Sequence, residues 1–333
     1  MTAYFPDTAT IRTALSLATR APSVHNSQPW LWRVGDGSIH LYAEPSRRLP
    51  RTDPDGRDLL ISCGASLHHA TAAFAALGWR CKVSRLPNAA EPNHLAAIEL
   101  TKGEPDKKDI ALAAAIPRRR TDRRYFSHWP VPHTDVVTIG VRLARMGVLL
   151  RHVDMSTGIR AIVAEAVWLH AHDAEYLTEL TTWSGRYASI AGVPARSTPE
   201  SDAMAALPSR LFAGPALEQP ADAAADADHG LLLALGTGGD GAVDRLRAGE
   251  ATSAALLTST VLGLASCPVS EPLEIDETRA ALRSEVFGDE GHPQMMLRIG
   301  WAPVGADPLP ATPRRPIDDV LQTLDGGSWS TTP

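Results

Sequence analysis

Cysteine is scarce in this chain. Three residues, Cys63, Cys81 and Cys267, are too few and too scattered for a disulfide framework or a zinc site. No run of 18 consecutive apolar residues occurs, so no transmembrane helix is expected. Basic residues are not in excess either. A formal charge of −6 argues against a nucleic-acid binder, whose footprint is normally basic. The opening MTAYFPDTATIRTAL lacks a basic start followed by an apolar block, so no secretory signal is expected and the cytoplasm is the expected compartment. Neither a G-x-S-x-G elbow nor a P-loop is found. Apolar residues, by contrast, make up 44% of 333 residues, enough to build a core for about two domains of roughly 150 residues each.

The pattern of elements reads as one unit written twice, the alternative being a single two-layer α+β chain. Ile11, Leu15 and Ala18 have helical spacing, and LWRV and IHLYA read as strands joined by Gly-Asp-Gly. Residues 57–77 form an Ala/Leu-rich helix stopped by Gly78, and CKVSRL and HLAAIEL follow as strands. The second half repeats this order: a helix at Val136–Ala144, the strand MGVLLRHV, a helical segment from Ile159 to Leu180 and the buried strand LLLAL. The apolar helix AGEATSAALLTSTVLG and the strand QMMLRIG complete it. Gly64 and Gly78 flank the first apolar helix 14 residues apart, as Gly249 and Gly263 flank the second. A Cys-x-Val follows each, at Cys81 and Cys267. The halves, 1–116 and 117–333, are expected to pack face to face as the two subunits of a homodimer do, with ligand sites at the seam.

Two segments break the symmetry. APSVHNSQPW (Ala21–Trp30) lies between helix and strand in the first half, where the second half has only Arg145-Met146-Gly147. PRRRTDRRYF (Pro117–Phe126) opens the second half and has no counterpart in the first. Five arginines and a threonine in seven residues read either as a solvated basic linker or as an anion site. Guanidinium forks give bidentate, charge-assisted bonds to phosphate. A second pair, Arg314-Arg315, lies near the C-terminus and reads equally as a tail.

Ala-Pro-Ser-x-x-Asn-x-Gln-Pro-Trp after a first helix resembles the nitroreductase family of flavin enzymes, and RRRTDRR before an aromatic is similar to that family's Arg-Arg-Ser-x-Arg-x-Phe. Each motif occurs once, in opposite halves, which resembles the Acg-type branch, where a fused duplication mimics the dimer. The resemblance covers essentially the full chain. It implies an α+β nitroreductase-like fold, two tandem homologous halves forming an intramolecular pseudo-dimer, and one FMN per chain at the seam. Pro22, Ser23, Val24 and Asn26 would line the flavin. Arg119, Arg120, Thr121 and Arg123 would hold its phosphate and ribityl end. Ser270 and Glu271, after Cys267-Pro-Val, would bring backbone amides to the N5 edge, and Arg314 and Arg315 would close over the phosphate. Thr121 replaces the family's usual serine and keeps the hydroxyl, Val24 removes a donor that some relatives have, and His25 falls between matched positions. No side chain is named as catalytic, because the flavin carries the redox chemistry.

The activity implied is an NAD(P)H-dependent reductase of nitro-aromatics or quinones with restricted flavin access. The alternative is a protein that sequesters FMN without turnover. The expected partners are FMN, NAD(P)H and a small aromatic acceptor, with no nucleic acid and no membrane, in a pseudo-dimeric monomer or a homodimer. Residues 184–230, irregular and rich in Pro, Gly, Ala and Asp, match the position of a lid over the flavin. GTGGDG (Gly236–Gly241) fits the G-x-G-x-x-G of a dinucleotide-binding dehydrogenase. The fingerprint needs a second strand ending in an acid about 20 residues on, where this chain reads as helix, so a strand-to-helix turn is expected. His68-His69 and His170/His172 lack metal-ligand spacing and read as core or solvated histidines.

Overall fold

A computed structural model describes residues 5–186, 189–202, 205, 207–220, 228–288 and 290–329. Helix α1 (Thr8–Ala18) is started by Asp7, whose carboxylate accepts the Thr10 amide. The hairpin β1 (Trp30–Val34) and β2 (Ser38–Ala43) follows, then the long helix α2 (Arg57–Ala76) and a second hairpin, β3 (Trp79–Arg85) and β4 (His94–Lys102). The next elements are α3 (Lys107–Ala115), α4 (His133–Ala144), β5 (Leu149–Val153), α5 (Thr157–Ala171) and α6 (Ala174–Trp183). A short parallel pair, β6 (Ser184–Arg186) and β7 (Val193–Pro194), precedes β8 (Leu231–Thr237). The chain then forms α7 (Ala242–Val261), β9 (Ala265–Val269), α8 (Asp276–Phe287), β10 (His292–Gly300) and β11 (Leu321–Thr323).

These elements make two main sheets, in the orders β11-β1-β2-β4-β3 and β5-β8-β10-β9. With β11 set aside, both read first, second, fourth, third in chain order, and all neighbours are antiparallel. β11 pairs in parallel with β1, so a strand from beyond the second sheet extends the first. Where β1 and β2 are joined by three residues, β5 and β8 are separated by α5, α6 and the irregular segment after them. LLLAL is buried on both faces of β8. Leu233 and Leu235 face α7, and Leu232 and Ala234 face α5 and α8.

Between the sheets, α2 packs on the first, α7 on the second, and the two helices on each other. Glycine makes that crossing. A Cβ on Gly64 would stand 2.0 Å from the Leu246 carbonyl oxygen, and one on Gly249 would stand 2.0 Å from the Ile61 carbonyl oxygen. The glycines 14 residues further on, Gly78 and Gly263, terminate both helices in the left-handed conformation, with φ of +81° and +82°, as a C′ residue commonly does. The shared spacing is therefore the distance from a helix crossing to a helix end. The Cys-x-Val echo is out of step. Cys81 and Val83 pack on the α2 side of their sheet, whereas Val269 packs on the face away from α7, against the α5/α8 cluster. A one-residue offset along a strand reverses the face.

One expectation changes. The helical segment 159–180 is broken at His172-Asp173, because the Asp173 carboxylate accepts the Glu175 and Tyr176 amides and starts a new helix. The central helix α2 is long and apolar enough to cross a membrane by length and composition, yet 72% of its most apolar window is buried inside the protein. It is the core. The GTGGDG run is the turn from β8 into α7, with Asp240 held by Arg245, Arg279 and Gln294. β8 and both its neighbours are antiparallel, which is not the parallel unit that a dinucleotide fingerprint needs. His68 and His69 both bond the Ser253 hydroxyl, at 2.7 and 2.8 Å, and no metal-binding group is found among the described residues.

Replacing Gly64 or Gly249 by alanine is expected to destabilise the fold by about 3 kcal/mol or more, the upper end of overpacking costs, because the obstructing atoms are backbone. Denaturant unfolding checks this. A Gly64→Ala variant with an unchanged midpoint would mean that the helices can separate freely.

Candidate functional site

The APSVHNSQPW loop turns in an unusual way. His25, Asn26 and Gln28 all have left-handed backbone, with φ of 45°, 53° and 53°, at a cost of roughly 1–3 kcal/mol for each such non-glycine residue. Side chains over-determine the turn. Ser23 Oγ accepts the Gln28 amide at 3.0 Å, and the Val24 amide donates to Ser62 Oγ of α2 at 3.2 Å. Asn26 Nδ2 donates to the carbonyls of Gly192 and Pro313, at 3.0 and 3.2 Å. Gln28 Nε2 donates to the Ile190 carbonyl at 2.8 Å, while its Oε1 accepts the Arg315 amide at 2.8 Å. The loop thus ties α2, the segment after β6 and the chain near residue 314 to one point.

Beside it lies a cavity with about 1430 Å³ free of protein atoms, its open mouth included. Pro22, Ser23, Val24 and His25 form one wall, and Asp58, Ile61, Ser62 and Ala65 of α2 form another. Thr121, Arg123 and Tyr125 contribute from the arginine-rich segment, and Cys267 to Pro272 from the end of β9. Much of the remaining wall comes from the 184–230 segment, including Pro199, Leu207, Arg210 and Phe212. Residues 187–188, 203–204, 206 and 221–227 of that segment lie outside the described residues.

The segment is fastened by Arg210. Its Nη1 stands 2.6 Å from His25 Nε2. A guanidinium only donates, so His25 accepts at Nε2 and carries its proton on Nδ1. Burial, then the charges of Arg210, Arg123 and His170, hold His25 well below the usual imidazole range. The same guanidinium is ion-paired with Glu274, whose Oε1 also accepts the Ser270 hydroxyl at 2.8 Å. Glu271 is engaged elsewhere, with its Oε1 3.1 Å from His170 Nδ1 and the His170 ring stacked on Tyr176.

The arginines divide into three groups. Arg119, Arg120 and Arg314 come together with Arg20, two residues past the end of α1. Arg119 is buried with Nε and Nη1 unpartnered, and Arg20 Nε is also buried and unpartnered. Burial, then Arg120 and Arg20, pushes Arg119 down to about 10. Burial, then Arg119, Arg20 and Arg120, pushes Arg314 down to about 9. Every charge that shifts these two groups is another arginine. Arg314 is held in place by the carbonyls of Thr19, Arg20 and Ala21, at 3.1, 3.1 and 3.0 Å. Arg123 stands apart inside the cavity, its guanidinium 5.0 Å from the centre of the Phe212 ring and its Nη1 donating to the Ser197 carbonyl at 3.0 Å. Arg315 is paired with Glu44 at 2.5 Å.

Of the residues singled out from sequence, Pro22, Ser23, Val24, Thr121, Arg123, Ser270 and Glu271 therefore line the cavity. Arg119, Arg120 and Arg314 form the guanidinium cluster. Asn26 and Arg315 tie the surrounding chain. Three residues at the site carried no sequence signal. Arg20 reads as the solvated end of a helix, Asp58 as an ordinary first-turn acid, and Arg210 as one charge in an irregular stretch.

No protein-family model matches the chain. It is 56% identical over 322 residues to Rv3131 of Mycobacterium tuberculosis strain H37Rv, provisionally named an NAD(P)H nitroreductase, covering 97% of this chain and 94% of that one. It is 36% identical over 325 residues to Acg of the same strain, which carries the same provisional name, covering 94% of this chain and 96% of the relative. Solved structures that it resembles include a provisionally named nitroreductase from Anabaena variabilis, with a TM-score of 0.49, 10% identity and 90% of both chains covered. Another is the FMN-dependent nitroreductase NfnB of Mycobacterium smegmatis in complex with NADPH, with a TM-score of 0.37, 17% identity, 62% of this chain and 97% of that one covered. The chain belongs to the nitroreductase family. Within that family it matches Rv3131 and Acg over nearly their whole lengths.

Arg210→Ala is expected to cost roughly 3–5 kcal/mol, because it leaves the fully buried Glu274 carboxylate uncompensated. Adding Glu274→Gln should recover part of that loss. A double-mutant cycle by denaturant unfolding checks the coupling, and strictly additive losses would mean that the pair is not what holds the segment down.

Proposed function

We propose that the chain binds one FMN, with its phosphate in the cluster of Arg20, Arg119, Arg120 and Arg314 and its ring in the adjoining cavity, and that it is an NAD(P)H-dependent reductase of quinones or nitro-aromatics. The observation that carries this reading is the cluster itself. Four guanidinium groups share a partly buried space, Arg20 Nε and Arg119 Nε and Nη1 are left unpartnered, and besides burial only other arginines shift Arg119 and Arg314. An uncompensated buried charge is strongly unfavourable, and a phosphate dianion accepts bidentate, charge-assisted bonds from guanidinium forks. Chain adjacency links cluster to cavity, since Ala21 precedes Pro22 and Arg120 precedes Thr121. The provisional names of Rv3131 and Acg agree with the reading.

When bound, FMN would take two electrons from NAD(P)H and pass them to the acceptor. The protein's part is position and polarity. Pro22, Ser23 and Val24 would support the ring, the fixed charge of Arg123 would favour electron density beside it, and Arg210 would hold the 184–230 segment across the open side.

One site per chain follows from the repeated strand order, read as a duplication with halves at 1–116 and 117–333. The shift that carries Gly64 to Gly249 also carries Ala65 to Glu250 and Arg85 to Ser270. Ala65 and Ser270 face the cavity. Their counterparts, Glu250 and Arg85, make a bidentate ion pair at 2.7 and 2.8 Å, which fills the equivalent place in the other half. Heat-released cofactor should measure one FMN per chain, and two would overturn this account.

Arg119→Ala should weaken FMN about 100-fold, the loss of one or two charge-assisted bonds of roughly 1.5–3 kcal/mol each. Riboflavin, which has no phosphate, should lose less than about threefold by the same estimate. Equal losses would remove the cluster from the binding site. The Arg210 latch also favours a second reading, in which the protein sequesters FMN. Anaerobic mixing with NADPH separates the two: rapid bleaching supports the reductase, and a persistently oxidised flavin supports sequestration.

A further inference from the structure

Asp58, in the first turn of α2, has no part in the flavin contacts above. Acids at that position usually cap the helix or stand in water, and Asp58 does neither. The amides of Asp58 and Leu59 are capped by Asp53, at 2.9 and 2.8 Å. The Asp58 side chain is 3% exposed, and its Oδ1 accepts Arg57 Nη2 at 2.8 Å. Its Oδ2 is buried with no partner, and the residue lines the cavity beside Val24 and Ser62.

An unpartnered carboxylate oxygen in such a place is costly, and the neutral acid avoids the cost. The charged groups around it are Arg57 and Asp53 from its own end of the helix, Glu274 from the turn after β9, and Arg210 from the 184–230 segment. Burial, opposed by Arg57 and reinforced by Asp53 and Glu274, pushes its carboxyl up to about 8. Oδ1 has to accept from Arg57, so the proton belongs on Oδ2.

We propose that Asp58 is the proton donor of the cavity, with its Oδ2–H directed at the carbonyl oxygen of a bound quinone. The proposal rests on the flavin reading and deepens it. A quinone becomes a hydroquinone by gaining two electrons and two protons. NAD(P)H, through the bound cofactor, supplies both electrons and one proton as a hydride equivalent. The second proton comes from Asp58: its O–H bond breaks, the hydroquinone O–H forms, and the carboxylate is reprotonated from water. The carboxyl also selects for oxygen acceptors over apolar occupants of the same size.

Asp58→Asn tests this, since the amide can still accept from Arg57 but has no proton to give. In flavin-free wild type, the carbon-13 NMR signal missing from Asp58→Asn should titrate near 8, and a titration in the ordinary carboxylate range would overturn the proposal. In the FMN-loaded protein, Asp58→Asn should bind FMN within about twofold of wild type and reduce quinone about 100-fold more slowly, within the usual range of general acid catalysis. The wild-type quinone rate should fall as pH rises through 8, when the donor is lost, and the variant should show no such fall. NADPH-driven reduction of ferricyanide, a one-electron acceptor that takes no proton, should fall far less than quinone reduction does. Equal losses for quinone and ferricyanide would make Asp58 a structural residue and overturn the donor role. If the wild type takes up no FMN, the flavin reading fails, and the NMR titration still judges Asp58 by itself.

Discussion

Everything at the site is referred to the crossing of α2 and α7. With backbone against backbone at Gly64 and Gly249, the two helices form one rigid unit between the sheets, and each carries wall residues of the cavity: Asp58, Ile61, Ser62 and Ala65 on one helix, Thr252 on the other. A larger residue at the crossing would separate these walls along with the sheets behind them. The strained turn at His25–Gln28 is hung from this unit through the Val24–Ser62 hydrogen bond. Strain in the loop is sustainable because its foundation does not yield.

The most legible parts of the molecule were those where one chemical requirement dominates a local stretch. Period-two strands, the two apolar helices and their glycine ends could be read directly, because burial and helix termination are local. The density of hydrogen-bonding residues in APSVHNSQPW also pointed to a site, and the turn uses Ser23, Asn26 and Gln28 as positioning groups. The break at His172-Asp173 was hidden because apolar spacing continues across it, and only the capping role of Asp173 interrupts the helix. α3, α8 and β11 carry weak patterns, and β11 exists by virtue of a partner strand almost the whole chain away.

The arginines show the limit of linear reading most clearly. Five of them in RRRTDRR looked like one cluster, yet the chain sends neighbours in different directions. Arg119 and Arg120 go to the guanidinium cluster, Arg123 goes to the cavity, and Arg124 goes to an ion pair with Asp122. Membership in the cluster is decided by convergence with Arg20 and Arg314, which lie hundreds of residues apart in sequence. Arg210 and Asp58 likewise acquire meaning only from what surrounds them. A buried acid and a solvated acid have the same letter.

With a phosphate bound as proposed, the guanidinium cluster would also set how the amount of folded protein responds to its surroundings. Like charges gathered in a water-poor space destabilise the empty fold, and a dianion settling among them would relieve that repulsion. Ligand that binds only the native state raises its stability in proportion to the logarithm of ligand concentration. An empty chain would therefore spend more time open to proteases than a filled one, and marginal stability translates directly into abundance. Supply of the phosphorylated ligand would then govern how much of this protein persists, with no dedicated regulator, through the repulsion among Arg20, Arg119, Arg120 and Arg314.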